Sequence, residues 1–231
     1  MKYILSFGGG INSSALLFLI KERHLPLDEV IFADTGNEFQ ATYQHIKEMN
    51  KIHPITLVKS DLAADLFDYC IEKKIVPSRM RRDCTGKFKV SPIRKYLRKK
   101  YGKKEKFILY IGIALEEAHR MRTSNVKYIE NVYPLVDNRI DRNGCIEIIK
   151  NNGFNDVVKS GCWFCPFTRK DGWIKLYNEN RELFELAEFM ENNCSNPKLK
   201  LWQTKKLRDV LIAKPKKESE PTCDVSGSCF L

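Results

Sequence analysis

The chain has 231 residues, 43% of them hydrophobic and 11% aromatic, enough to bury one sizeable core, or one core with a small appendage. No run approaches the roughly 20 apolar residues that span a bilayer, and the first ten residues are too short and too weakly basic for a signal peptide, so a cytoplasmic protein without membrane contact is expected. The formal net charge of +11 points to a polyanionic partner such as nucleic acid, and eight cysteines in such a chain favour metal binding or redox chemistry over a disulfide framework.

In chain order, short apolar runs alternate with amphipathic stretches, the pattern of a parallel sheet with crossover helices. Strands are predicted at Tyr3 to Phe7, Glu29 to Ala33, Ile55 to Val58 and Phe107 to Ile113, with a further apolar run from Val132 to Val136. Helices are predicted at Ser13 to Arg23, Glu38 to Met49, Leu62 to Lys73 and Ser91 to Tyr101. Asp141 reads as the cap of a helix reaching about Asn151, stopped by Asn152-Gly153. Beyond it the texture changes: a cysteine pair in Ser160 to Phe167, one long helix from about Asp171 to Asn192, a shorter one from Leu201 to Ala213, then a lysine-rich tail carrying Cys223 and Cys229. The expected organisation is a doubly wound α/β domain over residues 1–158 and a small helical, cysteine-bearing part over 159–231.

The strongest local signal is Ser6-Phe7-Gly8-Gly9-Gly10-Ile11-Asn12-Ser13-Ser14, where the first strand hands over to the first helix. Glycines let the backbone approach a ligand closely, and the hydroxyls and helix N-terminus supply donors and positive potential for an anion. The lysine of a Walker loop and the spacing of a dinucleotide fingerprint are both missing.

Gly9-Gly10-Ile11-Asn12-Ser13 resembles the Ser-Gly-Gly-x-Asp-Ser loop of the PP-loop ATP pyrophosphatase superfamily. Asp34-Thr35-Gly36-Asn37-Glu38-Phe39 with Thr42-Tyr43 resembles a segment of the phosphoadenosine phosphosulfate (PAPS) reductases, and the likeness runs on through Gly112-Ile113 and Glu116 to Arg122. The resemblance implies a Rossmann-like sheet binding ATP, or PAPS or adenylylsulfate (APS), through Ser6, Gly8, Gly9, Gly10, Asn12, Ser13, Ser14, Asp34, Thr35, Gly36 and Gly112, with magnesium as an optional companion. Ser13, Arg120, Arg122 and Cys223 are the expected catalytic residues. Asn12 departs from the usual aspartate and removes a charge from the loop.

Cys162-Trp163-Phe164-Cys165 is a pair of soft thiolates at a spacing that grips one metal or cluster. Asp83-Cys84 with Lys87, Lys89 and Pro92 resembles the segment that precedes such a pair in iron-sulfur APS reductases. That likeness implies Cys84, Cys162 and Cys165 as ligands of a [4Fe-4S] cluster, with Cys229 or alternatively Cys223 as the fourth; zinc is the alternative metal. Trp163 and Phe164 would shield the cluster or stack on a base, shielding being the preferred reading. Arg79, Arg81, Arg82, Lys87 and Lys89 would bind a phosphate backbone or keep the surface soluble. Cys70 and Cys145 read as core residues, and His24, His45 and His53 as surface residues.

Three functions compete on these residues. Adenylation of a nucleic acid or nucleobase acceptor for sulfur transfer, with a sulfur donor or reductant protein as partner, accounts for the retained loop and the basic charge. Reduction of PAPS or APS to sulfite needs a tail motif of which only Cys223 is present. A non-catalytic nucleotide- or nucleic-acid-binding module with structural zinc is the third.

Overall fold

The computed structural model describes residues 1–80, 82–154, 160–202 and 205–212. Its elements are β1 (Lys2–Phe7), α1 (Ile11–Glu22), β2 (Glu29–Asp34), α2 (Gln40–Ile52), β3 (Ile55–Lys59), α3 (Leu66–Glu72), the single turn α4 (Asp83–Thr85) and a π-helical turn (Gly86–Val90). There follow α5 (Ser91–Tyr101), β4 (Phe107–Ile111), a 3₁₀ turn (Leu115–Arg120), β5 (Ile129–Val132), α6 (Pro134–Asp137), α7 (Arg142–Asn151), α8 (Lys170–Glu179), α9 (Arg181–Asn192) and a 3₁₀ turn (Leu207–Val210). Among the described residues no helix is long and apolar enough to cross a membrane.

The strands form one parallel sheet in the order β3-β2-β1-β4-β5. Because strand side chains alternate, each strand feeds two cores. Leu5, Phe7, Val30, Phe32 and Tyr110 pack with α1, with Ile46 and Met49 of α2 and with Cys145 and Ile149 of α7. Ile4, Ile31, Ala33, Leu109 and Ile111 pack with Ile93 and Leu97 of α5. Helix α1 is buried from Ile11 to Ile20, as a central helix must be. With β2 on one side of β1 and β4 on the other, the chain reverses its direction of progress at β1. The crevice beyond the carboxyl ends of β1 and β4 is where such sheets bind ligands, and Gly8 to Gly10 and Gly112 stand there.

A further core gathers Leu66, Tyr69, Val76 and Phe88 with Trp163, Phe164, Trp173, Leu176, Phe184 and Met190. This packing docks the cysteine-bearing segment against α3 and the turn after α4.

Several predicted elements change. The apolar run Val132 to Val136 is divided between two elements: β5 ends at Val132, and Pro134, with φ preset and no N–H to lose, opens α6. Helix α3 begins only at Leu66, capped by Asp65, whose Oδ1 accepts from the Asp68 N–H at 2.9 Å. The long helix predicted from Asp171 to Asn192 is broken at Asn180, with φ −144° and ψ 67°, and both halves turn apolar faces into the same core. The helix predicted from Leu201 is reduced to the turn Leu207–Val210, because the buried Glu191 carboxylate accepts the Leu201 and Leu207 N–H groups at 2.8 Å each. Its far end, Ala213, lies outside the described residues.

Candidate functional site

The glycine loop is a tight structure. Gly9 has φ +71°, and a Cβ there would lie 3.0 Å from Thr42 Cγ2. Gly112 has a different constraint: a Cβ would lie 2.8 Å from Ser13 N and 2.9 Å from Asn12 C, so β4 approaches the first turn of α1 backbone to backbone. Ser13 Oγ donates to Gly10 O at 3.0 Å and accepts from Gly10 N–H at 3.3 Å, fixing the turn at the α1 N-terminus. Ser6, Asn12, Ser13 and Ser14 are all buried.

The end of β2 forms the second wall. Asp34 Oδ1 accepts from the Gly36 N–H and the Tyr43 hydroxyl, each at 2.8 Å, and Oδ2 lies 3.3 Å from Lys59 Nζ. Burial, and then the bond to Asp34, push the Tyr43 phenol above its usual range, so Tyr43 is a donor at every working pH. Thr35 Oγ1 lies 3.3 Å from Glu38 Oε1 and 3.1 Å from Cys162 Sγ.

The cysteine segment sits directly on these walls. Trp163 N–H donates to Asn37 O at 3.1 Å, Phe39 N–H donates to Gly161 O at 3.4 Å, and Ser160 Oγ stands where a Gly10 Cβ would come within 2.5 Å of it. Cys84, Cys162 and Cys165 line one pocket with Leu66, Pro77, Phe164 and Pro166. Three soft donors around apolar walls fit the chemistry of an iron-sulfur or zinc site. Among the described residues, however, no three His, Cys, Asp or Glu side chains stand close enough together to hold an ion. Cys223 and Cys229, the expected fourth ligands, lie outside the described residues, as does Arg81. Burial pushes the Cys70 and Cys145 thiols up to about 12, which keeps them protonated within the core.

Some residues at the site were not singled out by sequence reading. Glu38 is buried and pairs with the nearly buried Lys89 at 3.3 Å beside Cys162. In the sequence Glu38 carries no signal of its own, because it occupies a variable place in the family-like segment Asp34 to Phe39. Glu117 accepts from Asn12 Nδ2 at 2.8 Å and is ion-paired with Arg120, while Asn12 Oδ1 is buried without a hydrogen-bond partner among the described residues. The carboxylate missing from the loop thus stands behind it, and an amide at position 12 suits that neighbour. Asn12→Asp would set two carboxylates together: unfolding is expected to become easier by about 1–3 kcal/mol at neutral pH, with the deficit shrinking in acid as the new aspartate is protonated, measured by urea denaturation at several pH values.

Arg120 is held at the loop through Glu117, whereas Arg122 is exposed and its guanidinium donates to the His119 and Met121 carbonyls of its own turn.

His45 corrects the surface reading. It is 7% exposed, and its Nε2 lies 2.8 Å from Ser14 Oγ, because the amphipathic period of α2 places it one turn from Met49 on the core side. Burial lowers its pKa. A base with a depressed folded pKa contributes stability above its unfolded value, near 6.5, that is lost as pH falls toward the folded one. Acidification from pH 7 to 5 is therefore expected to destabilise the protein, and His45→Gln to flatten that slope in thermal melts.

Fold and site define a doubly wound α/β protein with a glycine loop at its switch point and a thiol pocket beside it. Residues 2–147 match the phosphoadenosine phosphosulfate reductase domain, and the chain belongs to that family. An uncharacterized protein of Methanocaldococcus jannaschii is 30% identical over 195 residues, covering 78% of this chain and 45% of the relative. An uncharacterized nin region protein of Escherichia phage lambda is 26% identical over 154 residues, covering 54% and 53%. The chain spans about half the length of the curated relatives it matches. The crystal structure of a PAPS reductase from Candida auris, in a phosphate complex, shares the fold at a TM-score of 0.51 with 14% identity, covering 71% of this chain and 82% of that one.

Proposed function

We propose that this protein is a PP-loop enzyme that binds ATP or a related adenine nucleotide and adenylates an acceptor, a base of a nucleic acid, for sulfur transfer. The observation that carries the reading is adjacency: Gly10 of the loop packs against Ser160, and Cys162 Sγ lies 3.1 Å from Thr35 Oγ1 at the end of β2.

An acceptor carbonyl oxygen attacks the α phosphorus of ATP, the α–β bridge breaks, and pyrophosphate leaves. The N–H groups at the α1 N-terminus, with Ser13 and Arg120, would hold the departing charge. A sulfide supplied by a donor then attacks the activated carbon, and AMP departs with the acceptor oxygen. Cys84, Cys162 and Cys165 would hold a [4Fe-4S] cluster, which when bound supplies a thiophilic site for that sulfur.

Family membership supports a second reading, in which a thiolate such as Cys223 attacks the sulfuryl sulfur of PAPS or APS, the adenosine phosphate leaves, and a thiol reductant releases sulfite. Protein purified without oxygen and incubated separately with ATP plus nucleic acid, and with PAPS or APS plus thiol, separates them. Pyrophosphate release in the first incubation supports the proposal, and sulfite release in the second alone replaces it. Turnover of neither, with stoichiometric zinc, leaves a nucleotide- or nucleic-acid-binding module.

A further inference from the structure

A second concave feature lies on the α5 side of the sheet, outside the loop and the thiol pocket. It is a groove of about 660 Å³ between α5 and the segment leading into β5, and its lining includes Arg94, Lys95, Arg98, Arg122, Tyr128 and Asn131. Four of these carry positive charge, and the remaining walls are supplied by hydroxyl, amide, glycine and valine residues with no carboxylate among them. Of the four cations, exposed Lys95 is ion-paired with Asp61 at 2.8 Å. Arg98 lies over the Tyr128 ring at 3.7 Å, a planar cation held flat on an aromatic face. Arg94 is steadied by Asn125 Oδ1 at 2.6 Å.

In sequence, the groove's lining lies close to residues of both halves of the site. Its lining begins at Gly86, which follows Cys84 by two positions, and includes Arg122, which follows Arg120 by two.

We infer that this groove holds the sugar-phosphate backbone of the nucleic acid whose base is modified, an inference that rests on the acceptor class proposed above. Cations spaced along a helix, hydroxyl and amide donors, and an aromatic ring under an arginine are the chemistry of phosphate and sugar contacts with room for a stacked base. A lipid surface would require an exposed apolar anchor beside the charge, and the polar walls of this concave groove do not provide one.

The test is fluorescence anisotropy of the full chain with a labelled RNA stem-loop and with DNA of the same sequence, read between 50 and 200 mM salt. Arg94→Gln with Arg98→Gln is expected to weaken binding at least about tenfold and to lower the log–log salt slope by about two, with ATP binding unchanged. Arg94→Gln with Lys95→Gln should act alike and leaves the Tyr128 contact intact. The control, Lys47→Gln with Lys150→Gln, removes equal charge from α2 and α7 on the opposite face of the sheet and should stay within twofold. RNA binding above DNA binding, or the reverse, identifies the polymer.

Equal weakening by groove and control variants, parental affinity in both groove variants, or binding of anionic vesicles but of neither nucleic acid would overturn the inference. The readout needs no turnover, so loss of binding in an enzyme that leaves ATP intact would retain the groove and refute the proposed reaction.

Discussion

Gly112→Ala is expected to lower affinity for adenine nucleotide by more than about tenfold and to reduce the melting temperature by several degrees. The added methyl would lie 2.8 Å from Ser13 N and 2.9 Å from Asn12 C, and backbone atoms of a buried helix cannot rotate aside. Overpacking of this kind costs about 1–3 kcal/mol, and each kcal/mol shifts the melting point of a chain this size by about 2–4 °C. The same displacement moves the first turn of α1, whose N–H groups form the proposed anion site. Gly86→Ala is the matched control: nothing lies within 4 Å of its added methyl and its φ is −60°, so it should be neutral or slightly stabilising. Calorimetry of nucleotide binding beside thermal melts separates the two variants.

Cys162→Ser is expected to remove most of the iron and acid-labile sulfide from protein purified without oxygen, and to lower any sulfur transfer by more than about a hundredfold. Its thiol stands between Thr35 Oγ1 and the pocket shared with Cys84 and Cys165, so of the three proposed ligands it is the one beside the end of β2. Serine at Cys84 or Cys165 should act in the same direction. Cys145→Ala, from a thiol buried in the sheet core, should keep its full iron content while losing stability. Metal analysis decides, and applied to Cys223→Ser and Cys229→Ser it also reveals which of the two completes the ligand set.

The sheet was legible in the sequence because both of its faces are buried, which writes β1, β2 and β4 as near-continuous apolar runs. The loop was legible because its glycines and hydroxyls are adjacent in the chain. Contacts between distant residues left no local trace. Asn12 meets Glu117 across 105 residues, and Glu38 meets Lys89 and Cys162 across 51 and 124. The same holds for Glu191, whose capture of two backbone N–H groups removes a helix that periodicity favours. His45 could have been placed: it lies on the apolar face of α2 with Thr42, Ile46 and Met49, but a histidine without a sequence partner gave no reason to bury it.

The most direct measurement is one anaerobic incubation of the intact protein with ATP labelled at the α phosphate, ³⁵S-labelled sulfide and nucleic acid. The account predicts AMP and pyrophosphate in equal amounts, with ³⁵S appearing in the polymer in proportion. ATP recovered intact or cleaved to ADP, with no ³⁵S in the nucleic acid, would contradict it.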